Sequence, residues 1–425
     1  MSLERKKMKL LLTEQRPEGT WNCRPIAKED IPALAKLVLD AYRGTIDDEG
    51  ETLEDALKAM QDMFAGASGT LLESCSFLIE EWGEPLAATI VTWWHGEPLL
   101  AYVMTHPTAK NRGMGCFLIQ KSINALLAQG QQTLSLFVTK GNLPAQHLYE
   151  RLGFQVMSTL GSAEVNGTRL YYEVAGEGRP LVLLHSGLTN NYMWDAQWKA
   201  FTQHYRVIRY DLRGFGYSRM PPEPFSNRED LFQLLRFLGV ERAYLIGSSM
   251  GGYLALDFAL EHPEMVAALI PVGSGISGEE PSAFLLERWT EIDAVYQSED
   301  IAQAVELEVQ LWVDGPGRSP EQANSVVREQ VRQMNTENFA RVPEQEAAQQ
   351  QPLEPPAIGR LGEIHVPTLV VVGEHDIPDK LASADLLAQG ISGAQKVVMP
   401  GTAHLPSMEQ PEEFNRLVLE FLGNL

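Results

Sequence analysis

Ala243-Tyr244-Leu245-Ile246-Gly247-Ser248-Ser249-Met250-Gly251-Gly252 decides how this 425-residue chain is read. An apolar run, 243–246, leads into Gly-x-Ser-x-Gly and then into a helix-like stretch, 252–261. Strand, sharp turn and helix form the setting in which this pattern carries chemistry. Glycines two residues either side of Ser249 let the backbone turn without a clashing Cβ. The serine is then pushed out at a helix N-terminus, where backbone N–H groups point at whatever it attacks. Taken alone, the same five residues are only a glycine-rich loop, so the partners matter.

Those partners lie downstream. Residues 366–372 read as a buried β-branched strand that ends in Gly373-Glu374-His375-Asp376. Residues 396–399 read as a short strand followed by Pro400-Gly401-Thr402-Ala403-His404. A serine hydroxyl is a weak nucleophile until a base takes its proton, and the base needs an orienting carboxylate. Ser249 is therefore the expected nucleophile, His404 the base and Asp376 the orienter, with Asp379 as the substitute acid. Singly, His404 reads as a loop histidine and Asp376 as a turn former; the chain order of the three makes the case.

From residue 164 onward the chain resembles the α/β-hydrolase family. The order Ser…Asp…His carries this, together with His185-Ser186-Gly187-Leu188 and Asp211-Leu212-Arg213-Gly214-Phe215-Gly216-Tyr217-Ser218. In the first loop Ser186 replaces the family's usual glycine. The resemblance implies an oxyanion hole from the N–H groups of Gly187 and Met250, each such donor typically worth about 3 kcal/mol of barrier. Asp211 and Arg213 are read as loop-fixing residues and His185 as a packed structural histidine. Residues 165–174 and 181–184 read as the first strands. The Glu- and Gln-rich interval at about 278–360 stands where the family has its helical cap. Phe284, Trp289, Tyr296, Trp312 and Phe339 either line a pocket roof or form the cap's own small core, the second being expected for most of them.

The first part of the chain is different. Residues 99–105 read as a strand, and Lys110-Asn111-Arg112-Gly113-Met114-Gly115-Cys116 opens a helix whose apolar positions recur every three or four residues until Gly130. A glycine-containing loop at a helix N-terminus can cradle an anion. After a further strand at 134–138 comes Asn142-Leu143-Pro144-Ala145, then Leu148-Tyr149-Glu150-Arg151-Leu152-Gly153-Phe154. The two segments together resemble the GNAT acetyltransferase family over roughly residues 21–160. The resemblance implies acetyl-CoA as acyl donor, with Lys110, Asn111, Arg112, Gly113, Met114, Gly115 and Cys116 around the pyrophosphate. It also implies a cofactor contact at Asn142, and Tyr149 as the acid that protonates the departing thiolate. Lys110 stands where the family has Arg or Gln, which keeps charge but not the planar fork. Only six residues separate Phe154 from Gly161, so the last strand of a full GNAT sheet is expected to be missing. An exposed edge would then make the two parts depend on one another.

The expected fold is thus α/β: a GNAT-like mixed α/β domain, 1–161, followed by an α/β-hydrolase domain, 162–425, with its cap. The expected function is a serine hydrolase acting on an ester, a lactone or a C–C bond, fused to an acetyl-CoA-dependent N-acyltransferase. The alternatives are a hydrolase whose GNAT-like half is a CoA-sensing or interaction module, and a fused pair with unrelated activities. No cofactor is expected for the hydrolase. Three cysteines, Cys23, Cys75 and Cys116, show no CxxC spacing, so no metal site and a reducing, cytoplasmic setting are expected. The net charge of −22 argues against nucleic acid and membrane surfaces, leaving small-molecule substrates as partners. The short apolar run Met8–Leu12 is too brief for a signal-peptide core.

Overall fold

A computed structural model describes residues 4–67, 69–94, 96–341 and 348–425. The chain divides into two compact units between Leu160 and Gly161. Residues 342–347 of the expected cap lie outside the described residues.

In the first unit the order is β1 Arg5–Leu11, β2 Cys23–Pro25, α1 Ile31–Tyr42, α2 Leu53–Phe64, β3 Thr70–Leu71, β4 Phe77–Glu81, β5 Glu84–Trp94, β6 Glu97–Thr105, α3 Met114–Ala128, β7 Thr133–Thr139, α4 Leu143–Arg151 and β8 Gln155–Val165. The strands run β8-β1-β7-β6-β5-β4-β2, with β3 beside β5. This corrects the expectation of a missing last strand. The six residues after Phe154 are themselves strand, and the next strand of the sheet comes from the opposite end of the sequence. β1 lies between β7 and β8, antiparallel to both, with Arg5 opposite Thr139 and Leu160. Its sequence alternates as a half-buried strand should. Met8 and Leu10 are buried, while Lys7 and Lys9 reach Glu97 at 2.7 and 2.5 Å.

The second unit begins at residue 161, the last five residues of β8. It continues with β9 Thr168–Ala175, β10 Pro180–Leu184, α5 Asp195–Phe201, β11 Arg206–Tyr210, α6 Asn227–Phe237, β12 Ala243–Ser248, α7 Met250–Glu261 and β13 Val266–Val272. Then come α8 Ala283–Gln297, α9 Ile301–Val309, α10 Ser325–Phe339, β14 Leu369–Gly373, α11 Pro378–Gly390, β15 Gln395–Met399 and α12 Pro411–Gly423. The first of these strands starts after a turn at Asn166 and Gly167, both at positive φ. Strands β11, β10, β12, β13, β14 and β15 are parallel neighbours in that order, and β9 runs antiparallel beside β11. β12 sits at the centre and every residue in it is buried, as parallel strands covered on both faces require. One face packs on α6 and α7 through Leu231, Leu235, Leu254 and Phe258. The other packs on α5, the turn before it and α12 through Trp194, Phe201, Phe414 and Val418. Among the described residues no helix is long and apolar enough to cross a membrane.

Candidate active sites

Ser249 follows the end of β12 at φ 51 and ψ −111, a backbone conformation that L-residues hold only when their surroundings force it. The surroundings are the glycines. A Cβ on Gly251 would lie 2.7 Å from the carbonyl oxygen of His185, and one on Gly252 2.8 Å from that of Gly247. Only glycine lets the start of α7 approach β10 and β12 so closely. The Ser249 N–H is fixed on the Val272 carbonyl at 2.7 Å. Met250 is the first residue of α7, so its N–H has no intrahelical acceptor.

His404 and Asp376 are both buried, and the imidazole Nδ1 lies 2.9 Å from each carboxylate oxygen of Asp376. Gly273, the residue after the carbonyl that holds Ser249, is where this pair meets the elbow. A Cβ on Gly273 would lie 3.1 Å from His404 Nδ1 and 3.2 Å from Asp376 Oδ2. Ser249 and the His404–Asp376 pair therefore flank one corner at the ends of β12, β13 and β14. Asp379 is elsewhere: it accepts from the Ser282 N–H and hydroxyl at 2.8 and 2.7 Å and so ties down the start of α8.

The two signature loops are structural supports. His185 accepts the Leu212 N–H at Nε2 and donates from Nδ1 to the Ser186 carbonyl, and burial pushes its pKa down to about 4, so it is neutral. Asp211 accepts from Asn191 and from the Tyr217 N–H, while Arg213 forms a two-pronged bond to Asp230 at 2.7 and 2.8 Å. Ser186, the departure from the family pattern, puts its hydroxyl to work inside its own loop. It accepts the Leu188 N–H at 3.3 Å and lies 3.2 Å from the Thr189 hydroxyl. Gly187 stands across from Met250: a Cβ there would be 3.9 Å from the methionine sulfur.

Three further residues support the site, and of these only Trp312, as a cap aromatic, was marked by the sequence. Glu409 accepts the N–H groups of Ala403 and Leu405, bracketing His404, and burial raises its pKa to about 7. Trp312 sits in a π-helical turn, Gln310–Asp314, with its ring 4.4 Å from the His404 ring, and its carbonyl accepts the His404 N–H at 3.2 Å. Asn338 on α10 donates to the carbonyls of Gly187 and Thr189 at 3.4 and 3.2 Å. A cavity of about 460 Å3 opens at the elbow, lined by Ser249, Met250, Tyr253, Trp289, Trp312 and Lys380 among others. Of the five cap aromatics, Trp289 and Trp312 line it. Tyr296 and Phe339 pack on each other, ring centroids 5.5 Å apart, and Phe284 is partly exposed.

The first unit has its own cavity, about 490 Å3. Parallel pairing of β6 with β7 is confined to Leu99 with Ser135 and Leu100 with Leu136. The cavity is lined by the later residues of both strands, including Tyr102, Val103, Phe137 and Thr139, and by Asn142 and Tyr149. Tyr149 is 8% exposed, and burial, with Asp47 nearby, pushes its phenol well above the usual range, so it carries its proton. Asn142 caps α4 by accepting the Ala145 N–H at 3.2 Å, and it donates to Asp47 at 2.8 Å. Asp47, in an irregular loop, was not legible in the sequence.

The glycine loop lies outside that lining. Asn111 and Gly113 have φ values of 63 and 84, and Gly113 is the N-cap of α3. A Cβ on Gly113 would come 3.3 Å from the Trp21 ring, and one on Gly115 3.3 Å from the Thr105 hydroxyl. Met114 is buried; Cys116 is half-buried, its thiol pushed up chiefly by that burial, as fits a packing residue. Lys110 donates to the Ala41 carbonyl at 3.3 Å and Arg112 pairs with Glu81 at 3.0 Å.

Family models match residues in both units. Residues 179–411 match the family model for the α/β hydrolase fold, and residues 83–160 match that for FR47-like protein, which is GNAT-like. A 2-hydroxy-6-oxo-6-phenylhexa-2,4-dienoate hydrolase of Comamonas testosteroni is 30% identical over 267 residues, 60% of this chain and 91% of the relative. A pimeloyl-[acyl-carrier protein] methyl ester esterase of Nitrosospira multiformis is 29% identical over 266 residues, 59% of this chain and 97% of the relative. Among solved structures, a hydrolase from Pseudomonas aeruginosa superposes with a TM-score of 0.52 at 32% identity, covering 62% of this chain and 98% of that one. Elbow, loops and the 179–411 match agree: the chain belongs to the α/β-hydrolase family and carries an FR47-like, GNAT-type unit ahead of its hydrolase fold.

Proposed function

We propose that the chain is a two-domain enzyme: a serine hydrolase of ester, lactone or C–C bond substrates, fused to an acetyl-CoA-dependent N-acyltransferase. The observation that carries the hydrolase is the buried His404–Asp376 pair beside the strained Ser249 elbow. His404 Nδ1–H, held by Asp376, leaves Nε2 as the base that takes the Ser249 proton during attack on the substrate carbonyl. The N–H groups of Met250 and Gly187 receive the developing oxyanion. His404 then protonates the leaving group, and water releases the acyl group from Ser249 by the reverse steps. The relatives' names, a dienoate hydrolase and a methyl ester esterase, support both C–C and ester substrates. The test is a panel of p-nitrophenyl, methyl and lactone esters with the full chain. A rapid release of one equivalent of p-nitrophenol before steady turnover is expected. Turnover of none of the panel would leave the C–C branch.

For the first unit, the parting of β6 from β7, the cavity there and the glycines of the 110–116 loop fit an extended acyl carrier whose pyrophosphate rests at the start of α3. Acetyl-CoA, when bound, supplies an acetyl thioester. Gly113, at φ 84, turns the chain into α3, whose first N–H groups, that of Cys116 among them, would receive the phosphates, and Asn142 fixes the start of α4. Tyr149, protonated at neutral pH, is placed to give its proton to a sulfur. Calorimetry of the full chain with acetyl-CoA is expected to give a micromolar constant, about −8 kcal/mol. Valine at Gly113 is expected to abolish it, because a β-branched residue resists φ of 84 and meets Trp21. No heat from the native chain would refute the cofactor.

One observation favours the second reading, a CoA-sensing or interaction module. Lys110 and Arg112 already have partners of their own, so the loop's charges are partly spent. Acetyl-CoA binding without transfer to any of a panel of amines would decide for it. Three free cysteines support a reducing, cytoplasmic compartment for the whole chain.

A further inference from the structure

We infer that the cavity of the first unit takes an acceptor carrying two cationic amines, one to be acylated near Tyr149 and one held by carboxylates at the rim. The inference rests on the acyl-transfer reading and adds the substrate class. Asp47, Asp48, Glu49, Glu51 and Asp55 all line the cavity, against two cations, Arg5 and Arg43.

The hydrogen bonds to Asp47, Asp48 and Asp55 come from uncharged groups, with Arg43 near Asp48 and Lys58 near Asp55. Asp48 accepts the N–H groups of Gly44 and Gly50 at 2.6 and 3.1 Å, and Asp55 accepts the Thr52 N–H and hydroxyl at 2.9 and 2.7 Å. Asp47 accepts from the Thr139 hydroxyl and the Asn142 amide. All of these are uncharged donors, and their hydrogen bonds hold the Asp48 and Asp55 carboxyls below the usual range. Glu49 lies 4.0 Å from Arg5, and Glu51 accepts the Glu49 N–H at 3.2 Å. The rest of the wall is largely apolar, with Val38, Leu39, Ala56 and Met63.

A second observation points to a ligand independently. Tyr149 is more than nine-tenths buried and lines this cavity, yet its hydroxyl has no hydrogen-bond partner among the described residues. Asp48, Glu49, Glu51 and Asp55 are exposed, so the cavity has a wet acidic mouth and a buried phenol at its floor. A linear diamine meets both ends. Its inner nitrogen, as the neutral amine, forms a bond to the acetyl carbon while the C–S bond of the thioester breaks. The sulfur takes the Tyr149 proton, the nitrogen releases one proton to solvent and Tyr149 is reloaded from solvent. The products are the acetamide and the free thiol.

The test is calorimetry of the full chain with three ligands of one length: 1,5-diaminopentane, pentylamine and 5-aminopentanoate. The dication is expected to bind at least tenfold more tightly than pentylamine, and 5-aminopentanoate more weakly than either. Raising sodium chloride from 50 to 300 mM should weaken the dication several-fold more than pentylamine. The Glu49→Gln, Glu51→Gln double variant should lose most of the dication's advantage while acetyl-CoA binds as before. Equal affinity for dication and monocation, or a preference untouched by salt and by the double variant, would overturn the inference. Dication binding in a chain that gives no heat with acetyl-CoA would uphold the cation site and overturn the acyl-transfer reading. Acetyl-CoA binding without that preference would do the reverse.

Discussion

Alanine at Ser249 lowers hydrolytic turnover by roughly 10⁴- to 10⁶-fold with little change in KM, and alanine at His404 does nearly the same. The two losses do not add, because nucleophile and base act as one unit; the double variant is expected to match the worse single one. Asparagine at Asp376 costs about 10⁴-fold, since the imidazole then presents the wrong tautomer. Steady-state kinetics on an activated ester, with circular dichroism to show that the fold persists, measures all four. Alanine at Ser249 leaves the elbow's glycines in place, and it removes nothing that packs. A loss below tenfold at Ser249 would remove it from the mechanism.

Deleting residues 1–12 is expected to unfold the first unit and spare the second. β1 is flanked on both sides, so its loss leaves β7 and β8 with open edges. It also uncovers the pocket filled by Met8, Leu10 and Leu12, at most 7% exposed. Each such side chain contributes about 2 kcal/mol. Some 6 kcal/mol, before any ladder hydrogen bonds, is comparable with the whole stability of a typical domain. Hydrogen exchange read by mass spectrometry on the full chain and on the deletion checks this. Protection across β5, β6 and β7 should vanish while α7 and β12 stay protected and hydrolysis continues. Unchanged protection in the first unit would mean that the strand is dispensable.

What the sequence revealed follows from range. The elbow was legible because its constraint is local: glycines at fixed offsets from Ser249, an apolar strand before and a helix after. His404 and Asp376 were legible as loop residues at the ends of β-branched runs. Asp376 was the expected orienter with Asp379 as substitute; the turn after β14 aims Asp376 at His404, and Ser282 holds Asp379. Loop-fixing roles for Asp211, Arg213 and His185 were readable from the signature loops, and their hydrogen bonds bear this out. The place of β1 was not readable. A strand's periodicity tells which residues face inward but not which strands it joins, and its partners lie more than 120 residues away. The same holds for Glu409 and Asn338, whose value to the site lies in where the chain brings them, and for the contact of Trp312, a cap aromatic the sequence did mark, with His404. Asp47 shows the limit at the other site, as an unremarkable loop acid that meets Asn142 across the fold.

The central claim is that Ser249 becomes covalently acylated, and a mass measurement tests it most directly. The full chain is treated with a fluorophosphonate, digested and sequenced by tandem mass spectrometry. The account predicts a single adduct on the peptide containing Ser249. It should form in parallel with loss of esterase activity and be absent from Ser249→Ala. An adduct on another residue, or hydrolysis that survives full modification of Ser249, would contradict it.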